Sequence, residues 1–143
     1  MYRRILLPTD GSPPTERALE YAVDLVETYD AELHVLYVLD TTATTGDVET
    51  ESITGEYDDI SEDIVENVVA RVHETGLDRV VDEVRRGPPP MMILEYADEH
   101  DVDLIVMGTH GRTGIDRYLL GSVTEKIVRQ SEVPVLTVRH PES

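Results

Sequence analysis

Glycine residues recur at short spacing after the apolar run at residues 104–107, first within residues 108–114 and again at Gly121, which Ser122 follows. A phosphate needs converging backbone N–H groups. Glycine provides them because it permits positive φ and a close approach of the backbone to the ligand. The stretch has neither the Gly-Lys-Ser/Thr of a Walker A loop nor the Gly-x-Gly-x-x-Gly of a dinucleotide-binding loop. These residues therefore predict a phosphate-binding loop of another type.

Gly121 and Ser122 also stand where the spacing of apolar residues predicts a last helix, over residues 122–130. The free N–H groups and the positive dipole end of a helix favour a phosphate, which would place a second anion-binding feature in the same loop. Two simpler interpretations stay open. Residues 122–125 read Ser-Val-Thr-Glu and fit a capping box in which Ser122 only caps the helix. Gly114 fits a simple turn.

Four charged or titratable side chains could take part in the same chemistry. Asp10 follows the first apolar run, and a carboxylate accepts hydrogen bonds from hydroxyls and binds hard cations. An Asp before a Gly is also a common turn. His110 lies within the loop, where a lone histidine is more often structural than catalytic. Arg112 and Arg117 could offset phosphate charge, or they could be solvated surface cations.

Strand and helix patterns alternate along the chain and determine where these residues must lie. Apolar or alternating runs predict five strands, over residues 2–7, 32–39, 80–86, 102–107 and 133–138. Helical spacing predicts four helices, starting at Pro13, over about 60–76, around 93–97 and over 122–130. The polar stretch 40–57 has no period and predicts a long loop.

Single helices between strands imply right-handed crossovers, and therefore a parallel sheet covered on both faces. The pattern predicts one domain over residues 1–143, a Rossmann-like α/β fold with strand order 3-2-1-4-5. In that order the winding reverses between the first and fourth strands, and ligands bind in the crevice outside their carboxyl ends. Residues 8–12 and 108–111 follow those two ends, so topology directs attention to the residues already singled out.

The composition excludes several classes of partner. The net charge is −18, from 30 acidic and 12 basic side chains. Such a charge argues against general nucleic-acid binding, where Lys and Arg supply most of the affinity, and against an anionic membrane surface. The chain has no Cys for a disulfide or a Cys-based metal site, no apolar stretch of membrane-spanning length and no apolar leader. We therefore expect a soluble, cytoplasmic protein.

The basic side chains are eleven Arg and a single Lys, Lys126. An acidic, lysine-poor surface suits a cytosol at very high salt, because salt screens the repulsion between like charges. We hypothesise a halophilic source, such as a halophilic archaeon; the alternative is an acidic mesophilic protein. Thermal unfolding with and without molar KCl distinguishes the two, since a halophilic protein gains stability with salt and the absence of any gain contradicts the hypothesis.

The glycine spacing Gly108-x2-Gly111-x9-Gly121-Ser122 resembles the ATP-binding pattern of the universal stress protein family, Gly-x2-Gly-x9-Gly-Ser/Thr. The sequences of residues 5–12, 103–111, 120–126 and 133–138 are also similar to that family. The resemblance covers essentially the whole chain. It implies the same fold, a Rossmann-like domain of the adenine nucleotide alpha hydrolase-like type, and ATP, with Mg or Mn, as the ligand.

The resemblance also implies roles for individual residues. Asp10 would contact the ribose or a bound divalent metal, Val38 would meet the adenine edge with its backbone, and Gly108, Gly111 and Gly121 would hold the phosphates through their N–H groups. The implied nucleotide-binding residues are Pro8, Thr9, Asp10, Val38, Met107, Gly108, His110, Gly111, Arg112, Gly114, Gly121, Ser122 and Val123.

One segment departs from the family pattern. Where the family has a Gly-x-Pro turn and a polar first helical turn, residues 87–92 read Gly-Pro-Pro-Pro-Met-Met. Three prolines remove three donors, so the sequence predicts that the third helix starts at or after Pro90.

The resemblance implies an ATP-binding regulatory protein that forms a homodimer through its last strands, and residues 135–139 would make an exposed edge that favours pairing. Two other functions stay open. One is a slow ATPase or phosphotransferase, for which Asp10 and His110 are the catalytic candidates. The other is a nucleotide-free interaction module, against which the intact glycine spacing counts.

Overall fold

A computed structural model of the chain describes residues 2–9, 13–39, 50–109 and 121–139. In these ranges strands and helices alternate, as the sequence predicts. The elements are β1 (Arg4–Thr9), α1 (Pro13–Tyr29), β2 (Glu32–Leu39), α2 (Thr50–Glu74), β3 (Val80–Arg86), α3 (Pro89–Glu99), β4 (Leu104–Gly108), α4 (Ser122–Gln130) and β5 (Val135–Val138). None of the helices among these residues combines the length and the apolar character needed to cross a membrane.

The five strands form one parallel sheet in the order β3-β2-β1-β4-β5, which confirms the predicted topology. At the centre of the sheet, Ile5 and Leu6 of β1 pair with Leu104 and Ile105 of β4. On its other side β1 pairs with β2 along its whole length, up to Thr9. The reversal of winding therefore falls between β1 and β4, where their carboxyl ends lie side by side.

The strands are buried on both faces because alternate side chains pack against different pairs of helices. Ile5 and Leu7 of β1 belong to a core cluster with α1 and α2. Leu6, between them, belongs to a second cluster with α3 and α4. The apolar runs predicted as strands thus form the middle layer of three, and the ends of those strands are held rigidly.

The helix α2 begins at Thr50, so the prediction of a loop over residues 40–57 is wrong for residues 50–57. Residues 40–49 lie outside the described ranges. The polar composition of residues 50–57 indicated a loop, but polar and acidic composition is also compatible with the first turns of a helix. The isoleucines at positions 53, 60 and 64 also keep helical spacing.

The helix α3 begins at Pro89, one residue before the predicted limit, with Pro88 as its N-cap. Its first backbone hydrogen bond runs from the Met92 N–H to the Pro88 carbonyl, at 3.0 Å. Because the first N–H groups of any helix lack an intrahelical partner, prolines at the N-cap and the first two helical positions remove no hydrogen bond. The proline run therefore opens this helix rather than delaying it.

Three strands also differ from the sequence-based prediction at one or both ends. The strand β1 starts at Arg4 and continues through Pro8 to Thr9, while β4 starts at Leu104 and β5 at Val135. Pro8 is tolerated because the pairing of β1 with β4 runs over Ile5 and Leu6 and ends before the proline. The strand β4 also ends one residue later than predicted, at Gly108, while the bounds of β2, β3 and α4 and the end of β5 match the prediction.

Candidate functional site

The two segments singled out by the sequence end at the same edge of the sheet. Pro8 and Thr9 close β1, and Gly108 closes β4 beside it, with Thr109 directly after. Both threonine side chains are buried, with exposed fractions of 6% for Thr9 and 8% for Thr109. This edge is the crevice in which open α/β sheets bind ligands.

The start of α4 is hydrogen-bonded directly to the end of β4. The Gly121 N–H donates to the Thr109 carbonyl at 2.6 Å, and the buried Thr124 hydroxyl donates to the Gly108 carbonyl at 2.8 Å. We call Gly108, Thr109, Gly121 and Thr124 the loop base, because they lie on either side of residues 110–120 in the chain. Thr109 is also fixed to β5, because its N–H donates to the Val138 carbonyl at 3.0 Å.

The first turn of α4 presents backbone N–H groups at this edge. Its earliest intrahelical hydrogen bond runs from the Glu125 N–H to the Gly121 carbonyl, at 2.9 Å. The N–H groups of Ser122, Val123 and Thr124 come before that bond, at positions where a helix has no internal acceptor for them. With the positive end of the helix dipole, they form an arrangement suited to an oxyanion such as phosphate.

The structure contradicts the capping-box interpretation of Ser122. Gly121 is the N-cap of α4 and no side chain caps the helix; Ser122 is the first helical residue and is exposed. The Gly121 N–H is donated to Thr109 and is therefore engaged within the fold. That the Gly121 N–H binds phosphate, as the resemblance implies, therefore stays a prediction, and the amides that follow Gly121 offer donors without an intrahelical acceptor.

Three other predicted site residues belong to one core cluster or pack against it. Met107 is buried in the core cluster on the α3 and α4 face of the sheet, and the half-buried side chains of Val38 and Val123 pack against the same cluster. Val38 stands next to the last residue of β2, while Val123 is in the first turn of α4. A partly exposed apolar surface beside a set of N–H groups suits a ligand with a flat apolar ring and an anionic group.

Five predicted site residues lie outside the described ranges. They are Asp10, His110, Gly111, Arg112 and Gly114. Among the residues that are described, no group of three or more His, Asp or Glu side chains comes close enough together to hold a metal ion. The implied metal ligand Asp10 therefore remains a prediction.

Two residues of the loop base were not among the sequence-predicted site residues. Thr109 and Thr124 fix the end of β4 to the start of α4 through a carbonyl and a hydroxyl. A threonine in the first helical turn is a weak signal in sequence, because its hydroxyl has many possible partners. Only the placement of the start of α4 against the end of β4 shows that the Gly108 carbonyl is the acceptor.

A surface cleft of ≈ 400 Å³ lies elsewhere, between the carboxyl-terminal ends of α3 and α4. Three carboxylates line it, those of Asp98, Asp101 and Glu132. Carboxylates and the negative ends of two helix dipoles both repel anions. This cleft is therefore unsuited to a phosphate, and the crevice at β1 and β4 remains the candidate site.

The sequence matches the family model of the universal stress proteins over residues 1–139. It is 34% identical over 144 residues to universal stress protein MJ0531 of Methanocaldococcus jannaschii, an alignment that covers 99% of this chain and 84% of that protein.

Two solved structures are similar along their whole length. The hypothetical protein MJ0577, whose biochemical function was assigned from its structure, has a TM-score of 0.89 and 33% identity, with 100% of this chain and 99% of that chain covered. A universal stress protein in complex with cAMP has a TM-score of 0.72 and 26% identity, with 97% of this chain and 98% of that chain covered.

Proposed function

Because the chain belongs to the universal stress protein family, we propose that it binds an adenine nucleotide, ATP, in the crevice outside the carboxyl ends of β1 and β4. The observation that carries this proposal is the loop base, which fixes the first-turn N–H groups of α4 beside the ends of the two central strands. Those groups suit a phosphate. The adenine is supported by a relative that binds cAMP, a ligand with an adenine and a phosphate.

We assign roles to the described residues by their position. The Ser122 and Val123 N–H groups bind phosphate, Gly108 and Gly121 allow the backbone to approach it, and Val38 contacts the adenine. The full proposed set keeps the residues predicted from the sequence: Pro8, Thr9, Asp10, Val38, Met107, Gly108, His110, Gly111, Arg112, Gly114, Gly121, Ser122 and Val123.

The proposed cofactor of ATP binding is a divalent metal, Mg or Mn, held by Asp10. A carboxylate near the phosphates is the ligand that such hard cations prefer, and the metal would neutralise phosphate charge in a protein whose net charge is −18. The first-turn amides of α4 would bind the phosphates whether or not the metal is present, because these donors belong to the helix backbone and do not depend on the metal.

We propose that the protein is a regulator that responds to its bound nucleotide, rather than an enzyme. Chemistry on ATP needs a residue that activates or positions the attacking group, in addition to donors that bind the phosphates. The described residues of the candidate site supply the first-turn amides of α4 and two threonine side chains that are buried in the fold. These groups bind and orient a phosphate without activating a nucleophile.

The test is whether ATP binds and survives. We expect mass spectrometry to find adenine nucleotide in the purified protein, calorimetry with ATP and Mg to give one site per chain, and ATP to remain intact after prolonged incubation. Absence of binding in calorimetry contradicts the proposed function. Turnover that disappears in the Asp10→Ala variant would instead identify a slow ATPase or phosphotransferase.

We also propose that the protein forms a homodimer through β5. This strand stands at one end of the sheet order, and Val135, Leu136 and Thr137 are half-exposed. An unpaired strand edge favours pairing with a second copy of the same strand. Light scattering in molar KCl should give twice the chain mass of 16.1 kDa, and a monomer across the micromolar range would exclude the dimer.

The acidic composition supports a further part of the proposal, namely that the protein works in a salt-rich cytoplasm. The net charge of −18 is carried by a chain of 143 residues with one Lys. Repulsion between so many carboxylates falls as ionic strength rises, since the screening length shortens. The comparison of thermal unfolding with and without molar KCl described above tests this part.

A further inference from the structure

A buried chain of hydrogen bonds connects β2 to α3, apart from the candidate nucleotide site. The His34 ring, 3% exposed, contacts the Glu32 carboxylate through Nε2 and the Tyr96 hydroxyl through Nδ1, each at 2.6 Å. Tyr96 is fully buried and is the largest such side chain in the part of the chain that the structure describes. We call Glu32, His34 and Tyr96 the His34 network.

The partners determine which ring nitrogen carries the hydrogen. A carboxylate only accepts hydrogen bonds, so the Nε2–H of His34 donates to Glu32. The Nδ1 atom is then the acceptor, and the Tyr96 hydroxyl donates to it. In this arrangement each donor of the two contacts faces an acceptor, and the imidazole is neutral.

Charged and titratable groups surround the His34 network from every element packed against it. The His100 ring of α3 stacks on the Tyr96 ring at 4.1 Å between centroids. The Arg85 guanidinium of β3 lies 4.9 Å from the centre of the same ring and is paired with Glu83 and with Glu99. The groups that act electrostatically on His34 or Tyr96 are Arg4 from β1, Glu32 from β2, Asp82, Glu83 and Arg85 from β3, and His100 from α3.

Protonation of His34 would disrupt this matching. An imidazolium has two N–H donors and no acceptor, so the Tyr96 hydroxyl could no longer donate to Nδ1 and its hydrogen would need another acceptor in a fully buried position. A buried donor without a partner costs about 1–3 kcal/mol. Burial lowers the pKa of His34, the hydrogen bond and charge of Glu32 oppose this, and His100 and Arg4 add to the lowering.

The position of Tyr96 on α3 decides which part of the molecule would respond to the protonation of His34. Near its amino-terminal end α3 is tied to the sheet, because the N–H of Gly87, two residues before the helix, donates to the Leu39 carbonyl of β2 at 3.0 Å. Towards its other end, the contact with β2 includes the hydrogen bond of Tyr96 to His34. We propose that the His34 network is an acid-sensitive contact, and that protonation of His34 releases the carboxyl-terminal half of α3 from the sheet.

The direction of the pH dependence follows from linkage. The folded chain holds the pKa of His34 below its ordinary value of 6.5, so below pH 6.5 the unfolded chain binds more protons than the folded one. The contribution of His34 to stability is therefore complete above pH 6.5 and is lost as the pH falls through the folded pKa. Burial raises the pKa of Tyr96 from 10.0 to about 12, so its contribution is complete below pH 10 and is lost as the pH rises through 12.

Hydrogen exchange at pH 7 and pH 5 tests the proposal on the whole protein. After correction for intrinsic exchange rates, we expect the protection of the amides of residues 96–100 to fall about tenfold or more at pH 5, which corresponds to about 1.4 kcal/mol. The His34→Gln variant keeps a polar side chain that does not titrate in this range, and it retains His100. We expect its protection to be independent of pH, and that of His73→Gln, at an exposed histidine of α2, to follow the wild type.

Two results would overturn the proposal: unchanged protection of the wild type at pH 5, or an equal loss of protection in His34→Gln. Should His34→Gln fail to fold, the Tyr96→Phe variant provides the second test. It keeps the ring and removes the hydroxyl that donates to the neutral imidazole. The titration of the His34 ring, followed by NMR, should then move to higher pH, and an unchanged or lower midpoint would contradict the proposed network.

Discussion

The Gly121→Val variant should lose ATP binding by a factor of about 100 or more while keeping its fold. Gly121 has φ −61° and ψ 154°, an extended conformation that valine adopts without strain. Its N–H would still donate to Thr109. The isopropyl group, however, would occupy the approach to the first-turn amides of α4. Losing two hydrogen bonds to a charged phosphate, at about 1.5–3 kcal/mol each, accounts for a factor of this size.

Calorimetry with ATP and Mg measures the effect, and circular dichroism checks the fold. The matched controls are Gly121→Ala, with a single methyl group and therefore an intermediate loss, and Ser122→Ala. The Ser122 side chain is exposed and would add at most one hydrogen bond to the phosphate, so we expect Ser122→Ala to lower affinity about tenfold at most. A Gly121→Val protein that is folded and binds ATP as the wild type does would place the nucleotide away from the loop base.

The second large effect is expected on stability, at the turn between β3 and α3. Gly87 is buried and has φ +143°, a conformation that residues with a side chain rarely adopt. A Cβ added there would lie 3.2 Å from Cγ and Sδ of Met92. Strain and this close contact together should lower the free energy of unfolding of Gly87→Ala by about 2–3 kcal/mol. Urea unfolding measures the change.

The chain offers a matched control at Gly76. This glycine also has positive φ, +90°, but a Cβ added there would meet nothing within 4 Å. Gly76→Ala should therefore show the strain alone, about 1–2 kcal/mol. Adding Met92→Ala to Gly87→Ala should recover part of the loss relative to Met92→Ala alone. An equal loss of unfolding free energy in Gly76→Ala and Gly87→Ala would show that the contact with Met92 is unimportant. An unchanged free energy of unfolding in Gly87→Ala would show that the turn relaxes freely.

The sequence predicts the fold well where burial decides structure. The central strands are near-continuous apolar runs, because both faces are covered, and their order follows from the crossover rule. Small differences fall at the ends of three strands, and the largest error falls at a helix start. There, side chains and backbone groups are solvated or capped rather than packed, so hydrophobic periodicity carries little information: α2 begins in a polar segment, and α3 begins within a run of prolines.

The candidate site could be located from the sequence, but its hydrogen bonds could not. The spacing of Gly108 and Gly121 indicated two segments that meet, and the structure brings them together at the end of β4. The sequence does not show that the Gly121 N–H is engaged by Thr109, or that Thr124 rather than Ser122 makes the side-chain contact. Such details depend on the relative placement of a strand and a helix, which short-range patterns do not specify.

The loop base has a consequence for how this protein could change over evolutionary time. Residues 110–120 begin and end at positions joined by the hydrogen bond between Gly121 and Thr109. Because the ends are fixed by the fold, doubling the length of such a loop costs only about 0.6 kcal/mol in closure entropy. An inserted or transplanted segment between these positions could therefore leave the sheet undisturbed, but it would break the glycine spacing on which the proposed ATP binding rests. A designer could graft a new specificity here only in place of the proposed one.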